Sequence, residues 1–324
     1  MHRYFLIPFI GFFIIVSGFV FFLQFINEDW KFIAPKIILP ESCDNNVETK
    51  FIIHENDKKI NRSFKDEQDT YKGNQFHPIF LLPCERDDRE YDINNKITSS
   101  LLAINNWLKE QTSNQEIRFD RKLDGDIDIT FLRVNKTMDW FGDLHNKDKS
   151  INITEVSNKI EDLINNNSNL FNNFSSKKFI IFFEGWEKRK YIDYDICGKS
   201  RFNGNIAIYF TYSRFKKYIG EDLILSNNDR IFSCTHKDHL NDMNDETFGD
   251  AEATILHEMI HALGFPSSCS THNKFFHVDD SNGDIMHKQS GKKYLDYNND
   301  DYYNHGLDNN CPDLKNSKFL KEIL

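Results

Sequence analysis

One run, His257-Glu258-Met259-Ile260-His261-Ala262-Leu263-Gly264, restricts this chain more than any other stretch. Two histidines four residues apart lie on one face of a helix, so both rings can reach one metal ion. Glu258, beside the first of them, is placed to take a proton from a metal-activated water. Leu256, Met259, Ile260 and Leu263 recur at helical spacing and give the same helix an apolar stripe that needs a core. Thr247 with Asp250 is the expected capping pair at its start, and Gly264 the expected stop. A chain carrying this run therefore has to bury one side of a helix while aiming the two histidines into an accessible cleft.

The remainder of the 324 residues supplies enough chain for one domain with a sizeable core. A formal net charge of −10 argues against general nucleic-acid binding. Tyr4 to Ile26 is apolar apart from Gln24, long enough to cross a bilayer as a helix. Arg3 precedes it and Glu28 and Asp29 follow, which leaves the N-terminus in the cytoplasm and exports the rest. Residues 1–27 are thus expected to be an uncleaved signal anchor; the alternative is a signal peptide cut after Val16-Ser17-Gly18, giving a secreted protein. Residues 28–75, rich in charge and amide groups, read as a stalk able to fold partly onto the domain, and 76–324 as the folded domain. The six cysteines are even in number and form no C-x-x-C pair, which fits disulfides in an oxidising compartment. The expected pairs are Cys197–Cys234, Cys269–Cys311 and, by elimination, Cys43–Cys84.

Within the domain, apolar runs predict strands at His77–Pro83, Lys178–Phe183 and Asn205–Phe210, with weaker ones at 52–53, 116–119 and 127–132. Helical spacing marks Asp92–Gln111 and Ser157–Phe171. The order implies an α+β, α/β-like fold: a mixed sheet with covering helices and the His257 helix. The 205–210 strand is the expected edge along which an extended peptide would pair.

A catalytic zinc needs a third protein ligand and one open position. The residues after Gly264 leave that ligand open among His277, His272 and a carboxylate at Asp279 or Asp280. Asp296-x-Asn298-x-Asp300 alternates oxygens as calcium loops do, but Asp301 stands where such a loop needs Gly and Leu307 where it needs Glu.

The motif, followed by a turn containing Met286, resembles the metzincins, a clan of zinc endopeptidases. Their third histidine, three residues after the Gly, is replaced here by Ser267. The chain is more similar to a group of exported bacterial zincin-like proteins over about His77 to Leu320. The matching features are Pro266, Cys269, His277-Val278-Asp279-Asp280, Asp284-Ile285-Met286, Asp300-Asp301-Tyr302-Tyr303-Asn304-His305 and Cys311-Pro312-Asp313-Leu314. That resemblance implies a zincin-like catalytic domain with zinc (Zn2+) on His257, His261 and His277, Glu258 as catalytic base and Met286 as a floor beneath the ligands. Tyr302, Tyr303 and His305 either line the cleft or pack the tail. The expected activity is hydrolysis of a peptide or protein substrate. A membrane-tethered, non-catalytic binding domain and a zinc amidase acting on cell-wall peptides are the alternatives.

Overall fold

A computed structural model describes residues 43–141, 155–185, 197–214, 231–233, 247–288, 291–308 and 310–323. Residues 1–27, expected as an anchor, lie outside them. Among the described residues no helix is long and apolar enough to cross a membrane. One compact unit runs from Pro40 to Leu324.

Its centre is a six-stranded mixed sheet. The strands are β1 (Phe51–Ile52), β2 (Gln75–Pro83), β4 (Thr130–Val134), β5 (Lys177–Phe183), β6 (Gly198–Ser200) and β7 (Ile206–Phe210). They lie in the order β1-β4-β2-β5-β7-β6. The inner four are mutually parallel, and the two outer strands are antiparallel to their neighbours. Parallel strands buried on both faces read as continuous apolar runs, which is why β2, β5 and β7 were visible in the sequence.

The two-residue alternation sorts those runs into two cores. Phe76, Phe80, Leu82, Phe131, Ile180, Phe182 and Tyr209 face α1 (Lys96–Gln111) and α4 (Asp250–Ala262). Ile79, Leu81, Phe179, Ile181, Phe183, Ile208 and Phe210 face α2 (Met138–Phe141) and α3 (Glu155–Asn166). Each fully buried side chain of this size contributes about 1.5–3 kcal/mol. A short strand β3 (Gln115–Ile117) pairs with β12 (Leu320–Glu322) and returns the tail to the domain. Two further antiparallel pairs are β8 (Tyr212–Arg214) with β9 (Ile231–Ser233), and the hairpin β10 (Asn273–Lys274) with β11 (His277–Val278).

Two expectations need correction. The 205–210 strand is not an edge: β7 lies between β5 and β6, and the edge is the three-residue β6. From Cys43 onward the segment read as a stalk is built into the domain. Its β1 pairs with β4, and Cys43 is disulfide-bonded to Cys84. It also supplies charged groups to three buried ion clusters. Arg62 lies between Asp88 and Asp92 and 3.9 Å over the Phe131 ring. Asp57 holds Arg133 with two bonds of 2.8 Å. Lys177 is held by Asp66, Asp69 and Asp120, and Asp120 also bonds His77 at 2.7 Å. Burial works against the Lys177 charge, but the three carboxylates outweigh it and raise the ammonium pKa. These residues resemble a solvated linker in sequence because their buried side chains are ionic.

The second disulfide joins Cys269 to Cys311 as expected. Cys197 is also disulfide-bonded; its expected partner, Cys234, lies outside the described residues.

Candidate metal centre

Helix α4 packs against β6, β7 and α1. Its cap is Gly249 rather than the Thr247–Asp250 pair. The Glu252 carboxylate accepts the Gly249 amide at 3.0 Å and the Ser100 hydroxyl of α1, satisfying a free helix-end donor while tying two helices together. At the other end Gly264 takes φ +89, a conformation that suits glycine, and turns the chain away.

The i, i+4 spacing places the His257 and His261 rings 4.6 Å apart, and the β10–β11 hairpin brings His277 to them. The His277 ring centroid is 5.2 Å from that of His257 and 4.9 Å from that of His261. One ring nitrogen from each lies within 4.8 Å of the other two, close enough to converge on one ion.

The Nδ1 atom of each ring faces a main-chain carbonyl: Ile285 for His257 at 2.7 Å, Phe265 for His261 at 3.1 Å and Phe275 for His277 at 3.0 Å. A carbonyl can only accept, so each Nδ1 carries the proton and each Nε2 keeps its lone pair. Burial favours the neutral rings: it pushes His257 down to about 4, His261 well below its ordinary value and His277 below as well. Three neutral imidazoles with fixed tautomers suit a first-row divalent metal such as zinc.

Glu258 is buried beside His257. Edge strand β6 passes directly over it. A Cβ built at Gly198 would lie 2.6 Å from Glu258 Cγ, 2.8 Å from its Oε1 and 2.7 Å from Thr254 Cγ2. The close approach of strand to carboxylate therefore requires glycine. The loop after β6 closes onto the C-terminal end of α4, where the Asn203 amide donates to the His261 carbonyl at 2.9 Å.

The turn at 284–286 supports the site from below. Met286 is fully buried. Asp284 accepts from the Met286 and Tyr297 amides and from the Tyr302 hydroxyl, at 2.7–2.8 Å. That brace fixes the turn whose Ile285 carbonyl orients His257. Tyr302 is therefore a buried brace, and Tyr303 donates its hydroxyl to Gln115; both pack the tail instead of lining the cleft. His305 contacts the Pro312 carbonyl.

Ser267, three residues after Gly264, and the alternative third-ligand candidates point elsewhere. Ser267 Oγ meets the sulfurs of Cys269 and Cys311. Asp279 pairs with Lys274. His272 and Asp280 belong to a separate cluster with Asp300 and Asp301.

Sequence reasoning missed two elements at the rim. Strand β6 is not among the expected strands, since Gly198-Lys199-Ser200 has no apolar signature. The turn of the β10–β11 hairpin is Phe275-Phe276, with φ +55 and +65. Two-residue hairpin turns with both central residues left-handed favour Asn-Gly. Two phenylalanines there cost about 1–2 kcal/mol each. Phe275 is 86% exposed, and Phe276 packs at 4.5 Å on Phe202, just beyond β6. Phe276 thus joins the His277 hairpin to the loop after β6. The Phe-Phe pair beside His277 was the available signal. Searches against protein-family models and curated proteins found no match to this chain.

Proposed function

We propose that the protein is a zinc metallopeptidase with His257, His261 and His277 as ligands and Glu258 as general base, on a zincin-like domain. The observation that carries the reading is the convergence of three imidazoles, each locked by a main-chain carbonyl, beside a buried carboxylate. Zinc held there supplies the positive charge that acidifies a water and polarises a peptide carbonyl. Glu258 accepts the water proton and delivers it to the departing amine. The hydroxyl oxygen goes to the carbonyl carbon, so one water is consumed for each C–N bond broken. Edge strand β6 offers main-chain groups for pairing an extended peptide, and its glycine lets that peptide approach Glu258. Phe275 and Phe276 favour a substrate with an apolar side chain near the cleaved bond.

The disulfides fit an oxidising compartment. With the apolar N-terminal run they support a domain outside the cytoplasm, anchored by residues 1–27 or released by their cleavage. The test compares the full chain with Glu258→Gln. One zinc in each and cleavage of a mixed peptide library by the parent alone supports the peptidase. Zinc in both without cleavage in either favours the tethered binding domain, and cleavage confined to cell-wall peptides favours the amidase. A parent that binds no zinc overturns the reading from the metal upward.

A further inference from the structure

At the base of the hairpin that presents His277 lies a second cluster, which shares no residue with the three-histidine centre. His272 precedes β10 and Asp280 follows β11; Asp300 and Asp301 come from the tail loop opposite. One ligand atom from each lies within 4.8 Å of the others. Asp301 is already engaged: it is fully buried and accepts the His272 amide at 2.6 Å, and its other oxygen sits 3.1 Å from His272 Nδ1.

Asp280 is different. Its side chain is only 9% exposed, yet both carboxylate oxygens are buried without a hydrogen-bond partner. Asp300 Oδ1 is buried and unbonded too. The nearest positive candidate is the same His272 Nδ1, 3.8 Å from each, and its proton is directed at Asp301. Three carboxylates converging on one small space, two of them lacking donors, repel one another unless a cation joins them.

We propose that Asp280, Asp300 and Asp301 form a calcium site, with His272 orienting Asp301. The donors are hard carboxylate oxygens from two loops, the chemistry that selects a hard, flexibly coordinated divalent cation over zinc. The His272 proton directed at Asp301 makes that imidazole a support rather than a ligand. The linear Asp296-x-Asn298-x-Asp300 pattern is replaced by a split set. Asp296 instead turns its Oδ2 to the amides of Asp301, Tyr302 and Tyr303, which shapes the loop that presents Asp300 and Asp301.

Bound calcium fastens both feet of the His277 hairpin to the tail loop, where Thr271 already donates to the Asp300 carbonyl. Resting on the zinc reading, the consequence is that calcium steadies the third zinc ligand and tightens zinc binding about tenfold or more.

The test strips the full chain of metal and titrates it with Ca2+ alone by calorimetry, with melting temperature as a second readout. The parent is expected to take up one Ca2+ and to melt at a higher temperature with it. Asp280→Asn and Asp300→Asn each weaken uptake at least tenfold. Without calcium, Asp280→Asn melts no lower than the parent, because the change relieves repulsion; misfolding is thereby separated from lost ligation. His257→Ala/His261→Ala keeps calcium uptake, so failure of the zinc reading leaves this result intact. No heat and no melting shift in the parent up to roughly 10 mM Ca2+ overturns the proposal, as does uptake that survives both Asn variants.

Discussion

Gly198→Ala is the sharpest probe of how the sheet edge and Glu258, the base of the proposed reaction, depend on each other. Gly198 is not one of the positive-φ glycines, so alanine introduces no backbone penalty and acts through one methyl group. That methyl meets Glu258 Cγ at 2.6 Å and Oε1 at 2.8 Å, against the 3.4 Å of ordinary contact. Relief requires the carboxylate to retreat by about 0.6–0.8 Å, or β6 to lift by as much. Misplacing a catalytic group by about 1 Å costs up to about 10²-fold in rate, so a loss of 10- to 100-fold is expected. Complete removal of the base in Glu258→Gln should cost about 10²–10⁴-fold. None of His257, His261 and His277 is among the three nearest atoms to that methyl, so on the zinc reading the metal content should stay at one per chain. Overpacking lowers stability by about 1–3 kcal/mol. The assay is kcat and KM on a fluorogenic peptide, with zinc analysis and a melting curve on the same sample. Zinc-loaded Gly198→Ala with parental kcat/KM would refute the claim that this glycine sets the position of Glu258. Zinc lost in step with activity would show that the methyl disrupts the helix itself.

Other outcomes follow from the same contacts. His277→Ala should abolish tight zinc binding while His272→Ala retains it, as measured by zinc competition with a chromogenic chelator. Asp57→Asn leaves buried Arg133 without its carboxylate and should cost about 3–5 kcal/mol in urea unfolding. Burial alone would raise the Asp57 pKa, but the bonds from Arg133 outweigh it and hold it below the ordinary 3.8. Its stabilisation is therefore full above 3.8 and lost as pH falls through the lower folded value. The parent's stability should decline below about pH 4, and Asp57→Asn should flatten that decline. Phe275→Asn/Phe276→Gly relieves about 1–2 kcal/mol of strain at each position but loses the Phe276–Phe202 ring contact, worth about 0.5–1.5 kcal/mol, so it should raise stability by about 1–3 kcal/mol and selectively reduce kcat/KM for peptides with apolar side chains. Equal losses for polar and apolar peptides would count against an apolar subsite.

What could be read from the residues follows from which interactions leave periodic traces. His257, Glu258 and His261 sit at helical spacing, and β2, β5 and β7 are apolar because both their faces are covered. His277 could not be singled out by spacing, since His272 and His287 also follow the helix; the expectation rested on the resemblance, and the β10–β11 hairpin is what brings the ring to His257 and His261. The 43–75 segment was opaque because Asp57, Arg62, Asp66 and Asp69 are buried by pairing across long sequence separations, and an isolated charge looks solvated. Strand β6 was opaque for the opposite reason: three small or polar residues become a strand only because β7 lies alongside. The cap shifted from Thr247 to Gly249 because Glu252 gained a second partner on α1, a tertiary contact that no local pattern contains.

The carbonyls that orient the three histidines have one more consequence. They belong to Phe265, Phe275 and Ile285, and a carbonyl stays in place whatever side chain its residue carries. No single codon change can delete such a partner, convert it to a carboxylate or make it a donor. The basicity of the three rings is thus shielded from the ordinary route of drift. A lineage seeking a different metal preference or a different water acidity would have to reshape a loop, by insertion, deletion or an altered turn. Variation in descendants of this architecture should accordingly collect in the lengths and turns of the 265–286 segment, with the residue types at 265 and 285 constrained by core packing alone.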